Sequence, residues 1–288
     1  MKHSNITYKS ADGSLNLRAE LLDPGRAPLT LLCMHGLTRN ARDFESLVAH
    51  LSQRYRVVVA DQRGRGLSEW DPKAANYQIP VYAKDMTRLL DHLAIERAVL
   101  IGTSMGGIIS MVLAAALPGR VPGIILNDIG PEVPAAGLKR LERSLSMTAV
   151  VRTWADAAAQ AQRANGIAFP DFKDADWLAF ARRIYRDDGS GRPVLAYDPA
   201  ILAGLAQRDD ADAVAPTLWP LWPQLQNIPM LVIRGGLSDI LSADILERMR
   251  ASHPRLGALT LPHRGHAPML DEPAAVAAID AFLQELEP

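Results

Sequence analysis

Gly102-Thr103-Ser104-Met105-Gly106 sets a serine hydroxyl between two glycines, with an apolar run on either side. The run before it, Ala98 to Ile101, reads as a buried strand. The run after it, from Met105 to about Leu117, is apolar almost all round, as a helix in the middle of a layered domain must be. A chain that reverses so sharply from strand to helix needs positions without a Cβ where the two elements meet, and Gly102 and Gly106 supply them. Such a turn holds the Ser104 hydroxyl exposed. It also aims the Met105 backbone N–H, at the helix N-terminus, toward the place where an oxyanion would form.

Serine is a poor nucleophile at neutral pH, so Ser104 needs a neutral imidazole to take its proton and a carboxylate to orient that imidazole. Downstream, an acid and then a histidine each stand in a loop directly after an apolar strand-like run: Asp239 after Met230 to Ile233, and His266 after Leu256 to Leu261. Asp128, which closes the run Gly123 to Asn127, is a second candidate for the acid. Gly235-Gly236 lets the chain turn back over a sheet edge, whereas Asp128 leads into Ile129-Gly130-Pro131. Asp239 is therefore expected to orient His266, and Asp128 to be structural. His263 is expected to be a solvated loop residue, and His35 to brace its loop by hydrogen bonding. No His-Glu-x-x-His or paired-cysteine spacing is present, so a metal is not expected.

These residues need a scaffold, and the rest of the chain supplies its grammar. Ile6 to Tyr8 and Leu15 to Leu22 read as antiparallel opening strands. Leu29 to Met34 and Val57 to Ala60 are apolar runs of strand length, each followed by a helix with one apolar face: Phe44, Leu47, Val48 and Leu51, then Tyr82, Met86, Leu89 and Leu93. This alternation predicts an α/β fold with a mostly parallel central sheet flanked by helices. From Glu132 to Asn227 the patterns are helical with no convincing buried strand, and Trp154, Trp177, Trp219 and Trp222 fall there. The expected organisation is a core over 1–131, a helical cap over 132–227 inserted above Ser104, and a second core segment over 228–288. Trp154 and Trp177 are expected to wall the substrate pocket. Arg39 and the cap residues Arg182, Arg183 and Arg186 are candidates for holding a substrate carboxylate.

Composition narrows the partners. The 288 residues are 48% hydrophobic with a formal net charge of -1, and no basic stripe argues for nucleic acid. Cys33 is the sole cysteine, which excludes an intrachain disulfide and suggests packing in a buried strand. Asp61-Gln62-Arg63-Gly64-Arg65-Gly66-Leu67-Ser68 is glycine-rich, but Glu69 stands where a dinucleotide fingerprint needs its third glycine. The N-terminus lacks the apolar core of a signal peptide and no run is long enough to cross a bilayer, so a soluble cytoplasmic protein with a small-molecule substrate is expected.

Taken together, His35-Gly36, Asp61 to Ser68, Gly102 to Gly107, Gly235 to Asp239 and Gly265-His266 resemble the α/β-hydrolase superfamily, in particular its capped esterase, lactonase and haloperoxidase-like branch. The resemblance implies Ser104 as nucleophile, His266 as base and Asp239 as orienting acid, with the oxyanion hole formed by the backbone N–H groups of Leu37 and Met105. It implies a cofactor-independent serine hydrolase that cleaves a small or medium ester, lactone or related acyl compound through an acyl-enzyme. Relatives that hydrolyse haloalkanes or epoxides carry aspartate at the elbow, where this chain has Ser104. The alternatives are carbon–carbon hydrolysis of a diketone, whose relatives usually have tryptophan where Ala267 stands, and a ligand-sensing receptor with slow turnover.

Overall fold

Side chains that alternate between two apolar layers organise the chain. In the computed structural model, which describes residues 1–146, 150–202 and 217–288, ten strands are numbered in chain order. They are β1 (Lys2–Lys9), β2 (Asn16–Asp23), β3 (Thr30–Met34), β4 (Arg56–Asp61), β5 (Val99–Thr103), β6 (Ile124–Asn127), β7 (Tyr185–Asp187), β8 (Pro193–Leu195), β9 (Met230–Gly235) and β10 (Leu256–Leu261). Eight of them form one sheet in the order β1-β2-β4-β3-β5-β6-β9-β10. From β4 to β10 all neighbours are parallel, while β2 runs antiparallel to both β1 and β4.

Along β3, Leu32 and Met34 enter one layer and Leu31 and Cys33 the other. Helices α2 (Ile79–His92), α3 (Met105–Ala116) and α7 (Ala243–Ser252) cover the first face through Met86, Leu89, Ile109, Leu113, Ile245 and Met249. Helices α1 (Glu45–Leu51) and α8 (Pro273–Glu285) cover the second through Leu47, Leu51, Ile279, Phe282 and Leu283. With both faces covered, the central strands have no solvent side. That is why they read as unbroken apolar runs and not as alternating ones.

Between β6 and β9 the chain leaves the sheet. It forms α4 (Ala135–Ser146), α5 (Trp154–Asn165), α6 (Asp174–Ile184) and the β7–β8 hairpin. Helices α5 and α6 and the hairpin bury a small core of their own around Ala157, Ala161, Phe169, Trp177, Phe180 and Tyr185. The hairpin departs from the expectation that this region lacks strands. Its strands are three residues long and pair only with each other, too short to leave an apolar run in the sequence. Among the described residues, no helix is long and apolar enough to cross a membrane.

Candidate active site

The reversal at Ser104 is tight. Its backbone lies at φ 52° and ψ -114°, a conformation costly for any residue with a side chain and held here by the packing around it. A Cβ on Gly106 would strike the Met34 carbonyl of β3, and one on Gly102 would strike the backbone of Gly106. The glycines are thus required by the approach of α3 to the sheet, as the sequence pattern implied. The Ser104 N–H donates to the Asn127 carbonyl at 3.0 Å, which fixes the elbow to the end of the neighbouring strand β6.

Ser104 Oγ lies 2.9 Å from His266 Nε2, and His266 Nδ1 lies 2.8 Å from Asp128 Oδ2. A carboxylate only accepts, so the imidazole proton sits on Nδ1 and the Nε2 lone pair faces the serine hydroxyl. Asp128 is fully buried. Its Oδ1 accepts the Gly235 N–H at 2.8 Å, and its Oδ2 also accepts the Ser238 hydroxyl at 2.5 Å. Ser238 Oγ in turn accepts the Ile240 and Leu241 N–H groups at 3.1 and 3.3 Å.

This geometry corrects the expectation for the acid. Asp239 does not touch His266. Its partly exposed carboxylate forms a two-point ion pair with Arg140 on α4. Burial raises its pKa, but the hydrogen bonds and charge of Arg140 outweigh that and hold it below the usual carboxylate range. The physical reason lies in strand order. β6 borders the elbow strand β5, whereas β9 stands one strand further out. Asp128 then adopts φ 55°, which redirects the chain just past β6. The glycine pair expected to turn Asp239 inward serves another purpose. A Cβ on Gly235 would meet the Gly265 carbonyl at 2.5 Å, and one on Gly236 would meet Pro262 at 2.9 Å. They let the loop after β9 pack against the loop that carries His266.

Asn127 is a site residue that the sequence reading passed over. Its Nδ2 donates to Thr103 Oγ1 at 3.1 Å and to the Pro268 carbonyl at 2.8 Å, tying the elbow strand to the His266 loop. The available signal was a polar residue closing an otherwise apolar buried strand.

Among the described residues, neither the Leu37 nor the Met105 N–H donates to a protein acceptor. Gly36 brings the Leu37 loop against the serine, since a Cβ there would sit 3.7 Å from the Ser104 Cβ. His35 is fully buried, donates from Nδ1 to the Gly36 carbonyl at 2.7 Å and accepts the Gln62 N–H at Nε2 at 3.1 Å. Burial brings its pKa down to about 4, so it stays neutral and fixes the peptide that carries the Leu37 N–H. His263 is exposed. Cys33 is buried, and burial pushes its thiol pKa far up.

Above Ser104 and His266 opens a cavity of about 590 Å³, walled by apolar side chains that include Leu37, Leu145, Phe169, Phe180, Leu195 and Met269. Arg39 reaches this wall, but its guanidinium is bound to Asp43 by two 2.7 Å hydrogen bonds and lies 4.3 Å from the Phe180 ring. The two expected tryptophans are not in the wall. Trp177 is 2% exposed and packs edge-on against Phe169, Phe172 and Phe180 inside the insertion. Trp154 stands at the start of α5 under the Arg182 guanidinium, at 4.7 Å, beside a separate shallow depression. Arg183 turns away toward Ser46 and Asp271. Arg186 does line the cavity, and Arg192 joins it from the turn of the hairpin.

Residues 30–273 match the family described as alpha/beta hydrolase fold. The chain belongs to the α/β-hydrolase family. This hydrolase is 34% identical to the 3-hydroxybutyrate-oligomer hydrolase of Cupriavidus necator, over 90% of this chain and 89% of that one. It is 30% identical to the 2-(acetamidomethylene)succinate hydrolase of Mesorhizobium japonicum, over 88% and 85%. Among solved structures, an α/β hydrolase from Novosphingobium aromaticivorans superposes with a TM-score of 0.88 at 40% identity, with 98% of each chain covered.

Proposed function

We propose that this hydrolase is a serine esterase that cleaves a small ester bearing a free carboxylate, of the kind a 3-hydroxybutyrate oligomer represents. The observation that carries the reading is the continuous hydrogen-bond relay from Ser104 through His266 to Asp128 at the floor of an apolar cavity. His266 Nε2 takes the Ser104 proton as Oγ attacks the ester carbonyl, and Asp128 steadies the imidazolium that results. The Leu37 and Met105 N–H groups receive the oxyanion. His266 then returns the proton to the leaving alkoxide, and water repeats the sequence on the acyl-enzyme. In this reading the inserted segment, 132–227, serves as a cap whose helices and hairpin shape the acyl pocket.

Support for a carboxylate on the substrate comes from the β7–β8 hairpin. It sets Arg186 and Arg192 on the exposed rim of the cavity, and Arg186 has no carboxylate partner among the described residues. Asp188 shares that rim, so recognition depends on the arginines outweighing it. The names of both relatives denote carboxylate compounds. The test compares the linear dimer of 3-hydroxybutyrate with its C-terminal amide. The expected result is many turnovers on the dimer and a kcat/KM about tenfold higher than on the amide. Arg186→Ala together with Arg192→Ala should erase that preference through KM, as loss of a charge-assisted contact requires. Equal rates on dimer and amide contradict the carboxylate, and a single stoichiometric burst contradicts the enzyme.

A further inference from the structure

Arg65 is fully buried and has no carboxylate partner among the described residues. Its neighbour Arg63 shows the usual solution, with hydrogen bonds to Asp85 and Asp71. The Arg65 guanidinium meets neutral groups only. Nε donates to the Leu37 carbonyl at 2.8 Å; Nη1 donates to the Arg63 carbonyl at 2.9 Å and to the Tyr82 hydroxyl at 2.8 Å; Nη2 lies 3.6 Å from the Met105 sulfur. The group also sits against the faces of Tyr82 and Tyr77, at 4.8 and 5.6 Å. Burying a cation with no carboxylate in contact is unfavourable even when its N–H groups are satisfied, and Asp198, which accepts the Tyr77 hydroxyl at 2.6 Å, offsets this only through space. Here desolvation lowers its pKa, although a guanidinium remains charged. Such a charge is retained where it serves a purpose that folding alone does not explain.

Two of its four partners are Leu37 and Met105, the residues whose N–H groups receive the oxyanion in the serine-hydrolase reading. We propose that Arg65 is the positioning residue of the oxyanion hole: one rigid planar fork joins the loop after β3 to the first turn of α3 and places its positive charge beside both donors. The inference rests on that reading. The loop that carries Arg65 is itself clamped from the insertion side. Arg65 forms a bridge to Tyr197, and the Gly66 N–H donates to the Ala196 carbonyl at 2.8 Å. On the other flank, the Asp61 carboxylate accepts the Ala41 and Leu67 N–H groups at 2.8 Å each. An arginine held this firmly fixes the spacing between its two acceptors, and a lysine, whose three donors rotate about one compact ammonium and form no planar fork, cannot.

The experiment measures kcat and KM on a nitrophenyl ester together with the inhibition constant of an alkyl trifluoromethyl ketone. With the ketone, Ser104 Oγ bonds to the carbonyl carbon, the C=O π electrons move to oxygen, and the Ser104 proton passes to His266. The product carries an oxyanion in the hole. Removing a direct oxyanion donor costs about 10²–10³-fold in kcat, and Arg65 acts one residue removed. Arg65→Met should therefore lower kcat by about 10- to 100-fold with KM within about threefold, and weaken the ketone by the same factor as kcat. Arg65→Lys should fall between wild type and Arg65→Met on both scales. It serves as the reading if the methionine variant does not fold. Folded variants whose kcat and ketone affinity stay within about threefold of wild type overturn the inference, as does a fall in kcat with ketone affinity unchanged. A wild type indifferent to the ketone overturns the serine reading, and this inference with it.

Discussion

Three donors converge on the Asp128 carboxylate, from Gly235, Ser238 and His266, and the group has no access to solvent. His35, in the loop after β3, is a titratable group kept neutral by burial. Burial leads the causes that bring its pKa to about 4, while Asp43 raises it and the Arg39 and Arg65 charges lower it. The unfolded chain takes up a proton near pH 6.5 that the folded one refuses until about pH 4. The stability His35 contributes is therefore complete above pH 6.5 and is lost as pH falls through that window. At about 1.4 kcal/mol per pH unit, the loss approaches roughly 3 kcal/mol. Replacing His35 with Asn removes the titration. The difference in unfolding free energy between wild type and His35→Asn should shrink by that amount from pH 7 to pH 4, as denaturant melts would show. A difference independent of pH would mean that His35 is not buried in its neutral form.

Helix α6 shows what helical spacing reveals and what it hides. Trp177, Phe180 and Ala181 recur at intervals of three and four and are all buried, so the buried face was legible from periodicity alone. Depth was not. Phe180 reaches the cavity wall, while Trp177, one turn earlier, is enclosed by Phe169 and Phe172. The two residues should therefore fail differently. Trp177→Ala should destabilise the protein by about 3–5 kcal/mol, the usual cost of emptying an aromatic core site, and leave the acyl-chain profile of the folded enzyme unchanged. Phe180→Ala should enlarge the pocket and shift preference toward longer acyl chains by about tenfold. Melting curves and a nitrophenyl ester series from two to eight carbons would separate the effects. A profile that moves with Trp177 and not with Phe180 would reverse the assignment. The β7–β8 hairpin was illegible for a related reason: its three-residue strands leave no periodicity, yet the hairpin carries the rim arginines, Arg186 in β7 and Arg192 in its turn.

At the scale of the whole molecule, most of the sheet could be read from the chain. β3 to β6 and β9 are covered on both faces, which leaves continuous apolar runs, and the glycines of the elbow record the contacts of α3 with β3 and with β5. Ser104 and His266 were legible as candidates because each follows a strand within a short motif of its own. The carboxylate that meets His266 was not, because two aspartates follow two strands and only their places in the sheet distinguish them. With the order β5-β6-β9, the loop after β6 adjoins the elbow and the loop after β9 braces it from outside through Ser238. Asp239 then serves to anchor α4 through Arg140, an exposed pair of small energetic weight. The central claim is that Asp128 holds His266 toward Ser104, and kcat for Asp128→Asn and Asp239→Asn on one ester, measured side by side, tests it most directly. Asp128→Asn should lose about 10⁴-fold, the size seen when the orienting acid of a serine protease triad becomes an amide, and Asp239→Asn should stay within about fivefold of wild type. A crippled Asp239→Asn beside an active Asp128→Asn would contradict the account.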